Sequence, residues 1–179
     1  RINGNSVKSI AEFAQRLPIQ LITTESYRFF HDAAKQRMQW VDWGVFHVKP
    51  EFISHWRHYQ AVLKQRNAGL KQYLPRQQIA TWDNSLIELS TKINHLREAY
   101  LEEITPVIDR LLCEMIPEIK KIELNYYPGW KAEIGIKEAL HDAYEKDQHC
   151  GYTSVGAHRA DVIVSANDQL AKDYLSQGQ

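Results

Sequence analysis

Hydrophobic residues recur with the period of an α-helix along two stretches in the middle of the chain. In the first stretch they are spaced by 4, 3, 4 and 7 residues, and they are Phe52, Trp56, Tyr59, Leu63 and Leu70. This spacing predicts one amphipathic helix over residues 51–72. In the second stretch, which predicts a helix over residues 83–115, they are Leu86, Leu89, Ile93, Leu96, Tyr100, Ile104, Val107, Leu111 and Met115.

The short segment between these two helices contains Pro75 and can form a turn. Two amphipathic helices joined by a turn bury their apolar faces against each other, so we expect an antiparallel helical hairpin. The residues expected between the helices are Trp56, Tyr59, Leu63, Leu89, Ile93 and Leu96. Pro106 falls inside the second helix, where proline removes a backbone hydrogen bond, so we expect a kink or a fresh helix start at Thr105.

Shorter elements are predicted before the hairpin. The Asn-Gly-Asn sequence at residues 3–5 favours a tight turn, and a short helix follows it. Residues 19–23 predict a short buried strand, and residues 25–47 predict a further helical stretch. The aromatic residues expected to face inward from that stretch are Trp40, Trp43 and Phe46.

After the hairpin the period of the pattern changes from helical to alternating. Residues 119–126 alternate and predict a strand, and residues 134–146 predict a polar helix. Two further short strands are predicted at residues 152–155 and 161–165. The predicted fold class is therefore α+β, with a predominantly helical arm flanked by strands of an incomplete sheet.

The charges are distributed unevenly although the net charge is zero. Residues 1–80 carry 12 Lys and Arg against 5 Asp and Glu, and residues 81–179 carry 10 against 17. Either the two halves simply have different solvated faces, or the first half presents a basic surface to a polyanion such as DNA. The candidate DNA-binding residues are Lys35, Arg37, Arg57, Lys64, Arg66 and Lys71.

Three of these cations fall on one helical face. Arg57, Lys64 and Lys71 are seven residues apart, about 100° from the apolar stripe, so they can face solvent while the stripe is buried. A row of cations of this kind can follow phosphates along a duplex without contacting the bases. Ordinary solubilising charge is the alternative for any one of them.

Histidines and cysteines do not form a convincing metal or catalytic site. The candidate ligands are His55, His58, His141, His149, Cys150 and His158, for which packing or surface roles are favoured over metal binding. No phosphate-binding glycine loop and no nucleophile motif is present, so no catalytic residue is assigned. The two cysteines, Cys113 and Cys150, favour a reducing cytoplasm, and no apolar run is long enough to span a membrane.

Near residue 179, Ser176 and Gly178 could place a hydroxyl and free backbone N–H groups at a helix start. Orphan N–H donors and the helix dipole favour an anion such as phosphate there, although a simple turn is the alternative.

Four segments together resemble the RecF family, recombination mediators related to ABC ATPases and SMC proteins. The segments are QLITTESYRFFHDAAKQRMQWVDWGVF, LKQRNAGLKQ, YTSVGAHRADVIV and LSQGQ, which span residues 20–46, 63–72, 152–164 and 175–179. Their order and spacing follow the family, so the resemblance covers nearly the whole chain. The residues depart from the family pattern at Ala33, Ala34, Met38, Ala157 and Gln177.

The resemblance implies a domain organisation. Residues 1–24 would end a lobe of an ATPase head, residues 25–117 would form the helical arm, and residues 118–179 would return to the head and end in its signature motif. The chain would then be the middle of such a protein, with the Walker A loop before Arg1 and the Walker B strand beyond Gln179.

The resemblance also implies site residues and partners. In the signature, Ser176, Gly178 and Gln179 would contact ATP bound by a second head, and Glu25, His158 and Arg159 would belong to the head motifs. The whole protein would be an ATP-dependent homodimer that binds gapped, single-stranded and double-stranded DNA, hydrolyses ATP weakly with Mg²⁺, and works with RecO and RecR to load RecA. The chain alone would bind no nucleotide and would be inactive as an ATPase. The alternative hypothesis is a structural helical hairpin that binds protein partners and no nucleotide.

Overall fold

A computed structural model describes residues 34–174 continuously, together with residues 14, 19, 23, 26 and 28–31. The helices within these residues are α1 (Arg28–His31), α2 (Ala34–Val48), α3 (Phe52–Lys71), α4 (Arg76–Met115), α5 (Gly135–Cys150) and α6 (Ala171–Tyr174). The strands are β1 (Ile122–Tyr127), β2 (Asp161–Ala166) and β3 (Gln169–Leu170), and a 3₁₀ turn covers Ala157–Arg159. The predicted α+β class is confirmed.

Helices α3 and α4 form the antiparallel hairpin that the hydrophobic pattern predicts. They make the most extensive contact between any two elements of the described structure, and Tyr59 and Ile93 are fully buried between them. Trp56 and Leu96 also pack against this core but are only half-buried. The prediction of the pairing is therefore confirmed, with its centre on Tyr59 and Ile93.

Helix α4 begins seven residues earlier than predicted, directly after Pro75. Its first turns are held because Ile79 is fully buried and packs, with Trp82, against Leu70 of α3 and Tyr144 of α5. The prediction had assigned residues 73–82 to the turn between the two helices. Packing against α5, which is distant in sequence, orders the additional turns.

Pro106 does not start a new helix, because α4 continues through it to Met115. The hydroxyl of Thr105 donates a 2.6 Å hydrogen bond to the carbonyl of Leu101. Beyond Pro106 the buried face is not the predicted one, since Val107, Leu111 and Met115 are 43%, 46% and 74% exposed. Ile108 and Leu112 instead pack against the cluster formed with the sheet. The predicted continuation of the stripe is therefore wrong, because the sheet approaches α4 from another side than α3 does.

The sheet is antiparallel with the order β1-β2-β3. The strands predicted at residues 119–126 and 161–165 are confirmed as β1 and β2, although β1 begins three residues later than predicted, and the two pair with Asn125 opposite Ile163. The strand predicted at residues 152–155 is wrong, because this segment is a loop tied to α3 by side chains: the Thr153 N–H donates to Asn67 Oδ1 at 2.8 Å. The two-residue strand β3 was not predicted.

Predictions for the first 33 residues fall mostly outside the described residues. That is the case for the turn at residues 3–5, and for the strand at residues 19–23 except for Ile19 and Thr23, neither of which has regular secondary structure. The helical stretch predicted over residues 25–47 corresponds to α1 and α2 where it is described. Phe46 is buried as predicted, while Trp40 and Trp43 are half-buried. None of the described helices combines the length and apolar character needed to cross a bilayer.

Candidate nucleic-acid interface

Helix α3 carries positive charge on its solvent side and no negative charge at all. Its 20 residues include four Lys and Arg and no Asp or Glu. Arg57, Lys64 and Lys71 are exposed, whereas Leu63 and Leu70 beside them are buried. Seven residues of helix advance roughly 10 Å, so the three cations form a straight row along the helix. The predicted exposure of this row is confirmed, and its role in DNA binding remains a prediction.

Arg66 lies on the buried side of the same helix and is fully enclosed. Its Nε donates to Asp83 Oδ1 at 2.6 Å, and its Nη1 donates to Asp147 Oδ2 at 2.8 Å and to Thr153 Oγ1 at 2.9 Å. The guanidinium therefore joins α3 to α4, to α5 and to the loop at residues 152–155. Arg66 therefore has no exposed surface in this structure, and its predicted contact with DNA stays a prediction.

Arg37 also forms an ion pair with a carboxylate. Its Nε and Nη2 donate to the two oxygens of Asp161, at 2.8 Å and 3.0 Å, and its side chain is only 13% exposed. The pair connects α2 to the first residue of β2. DNA binding by Arg37 stays a prediction, for a side chain already paired with Asp161, while Lys35 on α2 is exposed as the prediction requires.

Arg97 is a third structural arginine, and it was not among the residues predicted from the sequence. Its Nε and Nη2 donate to the two oxygens of Asp42, at 2.8 Å and 3.0 Å, and its Nη1 donates to the carbonyl of Ala157 at 2.7 Å. It therefore positions the turn that carries His158 and Arg159. Its position four residues after Ile93, on the buried side of α4, is a signal that could have found it.

His158 is held inside the fold by both ring nitrogens. Its Nε2 lies 3.0 Å from the carbonyl of Thr153, which can only accept, so Nε2 carries the proton and donates. Its Nδ1 therefore accepts from the Tyr59 hydroxyl at 2.7 Å. Burial lowers the pKa of His158 to about 4 and raises the pKa of Tyr59 to about 12, so both groups are neutral at pH 7.

The backbone of this turn approaches α3 so closely that only glycine fits at residue 156. Gly156 has φ of +125°, and a Cβ there would lie 2.6 Å from the Tyr59 hydroxyl. Arg159, the last residue of the 3₁₀ turn, is exposed. Its guanidinium carbon lies 5.4 Å from the ring centre of Tyr152. The two predicted head-motif residues that the structure describes thus differ, because His158 supports the turn whereas the Arg159 side chain is exposed to solvent.

A cleft of about 940 Å³ opens between α2, α3 and the 3₁₀ turn. Lys35, Arg57 and Arg159 line it, together with Trp43 and Trp56. The cleft thus brings together cations from three segments that are separate in the sequence.

The remaining candidate residues are not drawn together. Among the described residues, no group of three or more His, Cys, Asp or Glu side chains is arranged to hold a metal ion. Glu25 and the signature residues Ser176, Gly178 and Gln179 lie outside the described residues, so their roles remain predictions.

Comparison with known sequences gives a consistent set of relatives. No protein-family model matches the chain. The chain is 41% identical over 181 residues to the DNA replication and repair protein RecF of Hydrogenovibrio crunogenus, 39% identical over 180 residues to RecF of Pseudomonas fluorescens, and 36% identical over 179 residues to RecF of Vibrio cholerae. Each match includes all of this chain and 49–50% of the relative, so the chain spans about half the length of the curated relatives that it matches.

Two solved structures share the fold. One is described as the recombination mediator protein RecF with ATP in the RecFOR pathway; it superposes with a TM-score of 0.79 at 22% identity, over 88% of this chain and 45% of that one. The other is described as the same mediator with ATPrS; it superposes with a TM-score of 0.85 at 23% identity, over 99% of this chain and 51% of that one. At these identities the superpositions establish the fold.

Proposed function

The chain belongs to the RecF family, and from this premise we propose that the protein of which it forms part acts in DNA replication and repair by binding DNA under the control of ATP. The processes proposed are gap repair, replication restart and the SOS response, in the cytoplasm. The name shared by the relatives and the fold shared with the ATP-bound structures support the proposal.

The observation that carries the proposal is the row Arg57, Lys64 and Lys71 on a helix without a carboxylate. None of the three has an ion-pair partner among the described residues. Cations that are not already neutralised can replace the counterions condensed on DNA phosphates, which favours binding without regard to base sequence. Lys35 and Arg159 extend the same positive surface onto α2 and the 3₁₀ turn.

The proposed role of ATP rests on the signature residues Ser176, Gly178 and Gln179, with Glu25, His158 and Arg159 as parts of the head motifs. The proposed assembly is a homodimer in which each signature contacts ATP and Mg²⁺ held by the other subunit, and the whole protein is proposed to be a weak DNA-dependent ATPase. Its proposed partners are RecR and RecO and, through them, RecA. We also propose the division into residues 1–24 and 118–179 of the head and residues 25–117 of the arm.

A second candidate is a structural hairpin that binds protein partners and no nucleotide. The observation in its favour is the exposed apolar row Val107, Leu111 and Met115 on α4. The two functions place the binding surface on different helices, so one experiment separates them.

The experiment measures the affinity of the chain for a blunt duplex over a series of salt concentrations. We expect weak binding that does not depend on base sequence and falls steeply with salt. The triple variant Arg57→Gln/Lys64→Gln/Lys71→Gln should flatten the plot of log affinity against log salt by up to about three units of slope.

The matched control removes three exposed lysines elsewhere, in the variant Lys131→Gln/Lys137→Gln/Lys146→Gln. It changes the net charge by the same amount, so it should leave most of the slope intact. Equal slopes for the α3 variant and the unmodified chain would show that the row is only a solvated surface, and would favour the protein-binding hairpin.

A further inference from the structure

The cleft between α2, α3 and the 3₁₀ turn has two kinds of wall. Its inner wall is apolar and aromatic, formed chiefly by Met38, Trp43, Phe46 and Trp56. The rings of Phe52, Trp56 and Tyr59 are stacked in sequence along α3, with interplanar angles of 9° and 16°. Trp43 and Trp56 remain only half-buried and line the cleft, and the guanidinium carbon of Arg97 lies over the Trp56 ring, 5.1 Å from its centre, so Trp43 offers the freer indole. A flat aromatic ligand would find complementary surface there.

The outer wall is positively charged. Lys35 comes from α2, Arg57 from α3 and Arg159 from the 3₁₀ turn, and all three are exposed. Among the described residues that line the cleft, the single carboxylate is that of Asp42, and both of its oxygens are already held by Arg97. The cleft is therefore complementary to a ligand that combines an aromatic ring with negative charge, which is the composition of a nucleotide.

The cleft is continuous with the cationic row on α3. Arg57 is the first member of that row and also lines the cleft. A phosphate backbone that follows Lys71, Lys64 and Arg57 would thus be led to the mouth of the cleft. At about 940 Å³ the cleft can enclose one or two nucleotides, but it is too small for a duplex.

We propose that this cleft receives an unpaired base of single-stranded DNA whose neighbouring backbone lies on the row of α3. The base packs against the indole wall of Trp43 and Trp56, and Lys35, Arg57 and Arg159 hold the flanking phosphates. The amides of Gln39 and Gln60, which also line the cleft, can bond to polar base edges. This inference rests on the proposed DNA-binding function and adds the element that distinguishes a single strand from a blunt duplex.

The first test titrates the chain with the pentanucleotide dT5 and follows tryptophan fluorescence. We expect saturable quenching, because a base that stacks on an indole quenches it. The variant Trp43→Leu should bind dT5 about tenfold or more weakly, since stacking of one base on one aromatic side chain has that magnitude. The matched control Trp82→Leu removes a tryptophan packed against Leu70 and Tyr144, away from the cleft, and should retain the affinity.

A second pair of variants alters charge without touching the core. Lys35→Gln should weaken dT5 binding several-fold, whereas Lys137→Gln, an exposed lysine on α5, should not. These surface changes keep the test decisive if Trp43→Leu folds poorly, which circular dichroism would reveal. An acidic peptide of the same charge as dT5 should not quench; equal quenching by that peptide would overturn recognition of a base.

The second test compares a blunt duplex with the same duplex carrying a five-nucleotide single-stranded extension. The extension should raise affinity about tenfold, and Trp43→Leu or Lys35→Gln should remove most of that gain. One outcome would overturn base binding in the cleft and leave phosphate binding by the α3 row intact. In that outcome the blunt duplex binds in a salt-dependent way, the extension gives no gain in affinity, and dT5 does not quench the fluorescence. Quenching by dT5 without duplex binding would overturn the row and support the cleft.

Discussion

Helices α3 and α4 bury their apolar faces against each other, but the faces they leave in solvent carry different charge. Helix α3 has four Lys and Arg and no acidic residue in 20 residues, whereas α4 has four Lys and Arg and seven Asp and Glu in 40. On α4 several of these charges are neutralised nearby, for example by the pair Glu88–Lys92 and by Lys49, which lies 3.1 Å from Glu103. On α3 the exposed cations have no such partner among the described residues.

The comparison shows that the face of a helix, and not the residue type, decides what a cation does. Lys64 and Arg66 are two residues apart on α3, and one is exposed while the other is fully buried in an ion-pair network. Helix α4 uses its own buried cation, Arg97, in the same structural way. Counting basic residues along the first half of the chain therefore overestimates the surface that is available to DNA.

The largest effect is expected from breaking the seam that the two helices share. Ile93 is fully buried between α3 and α4, so Ile93→Asp places a carboxylate in an apolar seam, where Arg97, four residues on, is already paired with Asp42. We expect the free energy of unfolding to fall by at least about 4 kcal/mol. Urea unfolding measures this change, with His95→Asp, an exposed site on the same helix, as the control. An unchanged free energy of unfolding for Ile93→Asp would contradict the pairing of the helices.

The next effect contrasts the two cations of α3 that lie on opposite faces. Arg66→Gln leaves Asp147, which is fully buried, without its cation, and should cost about 3–5 kcal/mol. Lys64→Gln should change stability by no more than about 0.5 kcal/mol. In DNA binding the order should reverse, since only Lys64 belongs to the exposed row. If the two variants lower stability equally in urea unfolding, the assignment of Arg66 to structure and of Lys64 to the surface is wrong.

A smaller effect comes from His158, which lies between the hairpin and the loop at residues 152–155. Its pKa is about 4 in the folded chain against 6.5 for an unperturbed histidine, so the unfolded chain binds more protons between these values. The contribution of His158 to the free energy of unfolding is therefore fully present above pH 6.5. Below that pH the free energy of unfolding falls by about 1.4 kcal/mol per pH unit, down to pH 4.

The measurement compares urea unfolding of the chain and of His158→Gln over pH 4–7. The difference in stability between the two should shrink as the pH falls, because Gln does not titrate. A difference that stays constant with pH would show that His158 is not held neutral by the bonds to Tyr59 and Thr153.

The extent of sequence-based prediction differs between the fold and the site. The hairpin, β1, β2, α5 and the family were all predicted, because each depends on a periodic pattern or on motifs that are contiguous in the chain. The site was predicted only in part. Arg57, Lys64 and Lys71 were placed correctly on the solvent face by their spacing from Leu63 and Leu70, since both sets belong to one helix.

The tertiary structure alone decided which of the remaining arginines are buried and what they bind. Arg37 meets Asp161 at 124 residues' separation and Arg66 meets Asp147 at 81, and no local pattern encodes such partners. Tertiary contacts also decided which face of α4 is buried beyond Pro106, where the helix packs against the sheet. They decided the conformation of residues 152–155 as well, because N–H groups there donate to side chains of α3 and α5 and not to a strand. Helical and strand periodicity is a property of neighbouring residues, so the sequence by itself determined the elements and their apolar faces. The pairing of buried charges depends on how those elements pack, because a charge can be buried only where a partner from another element reaches it.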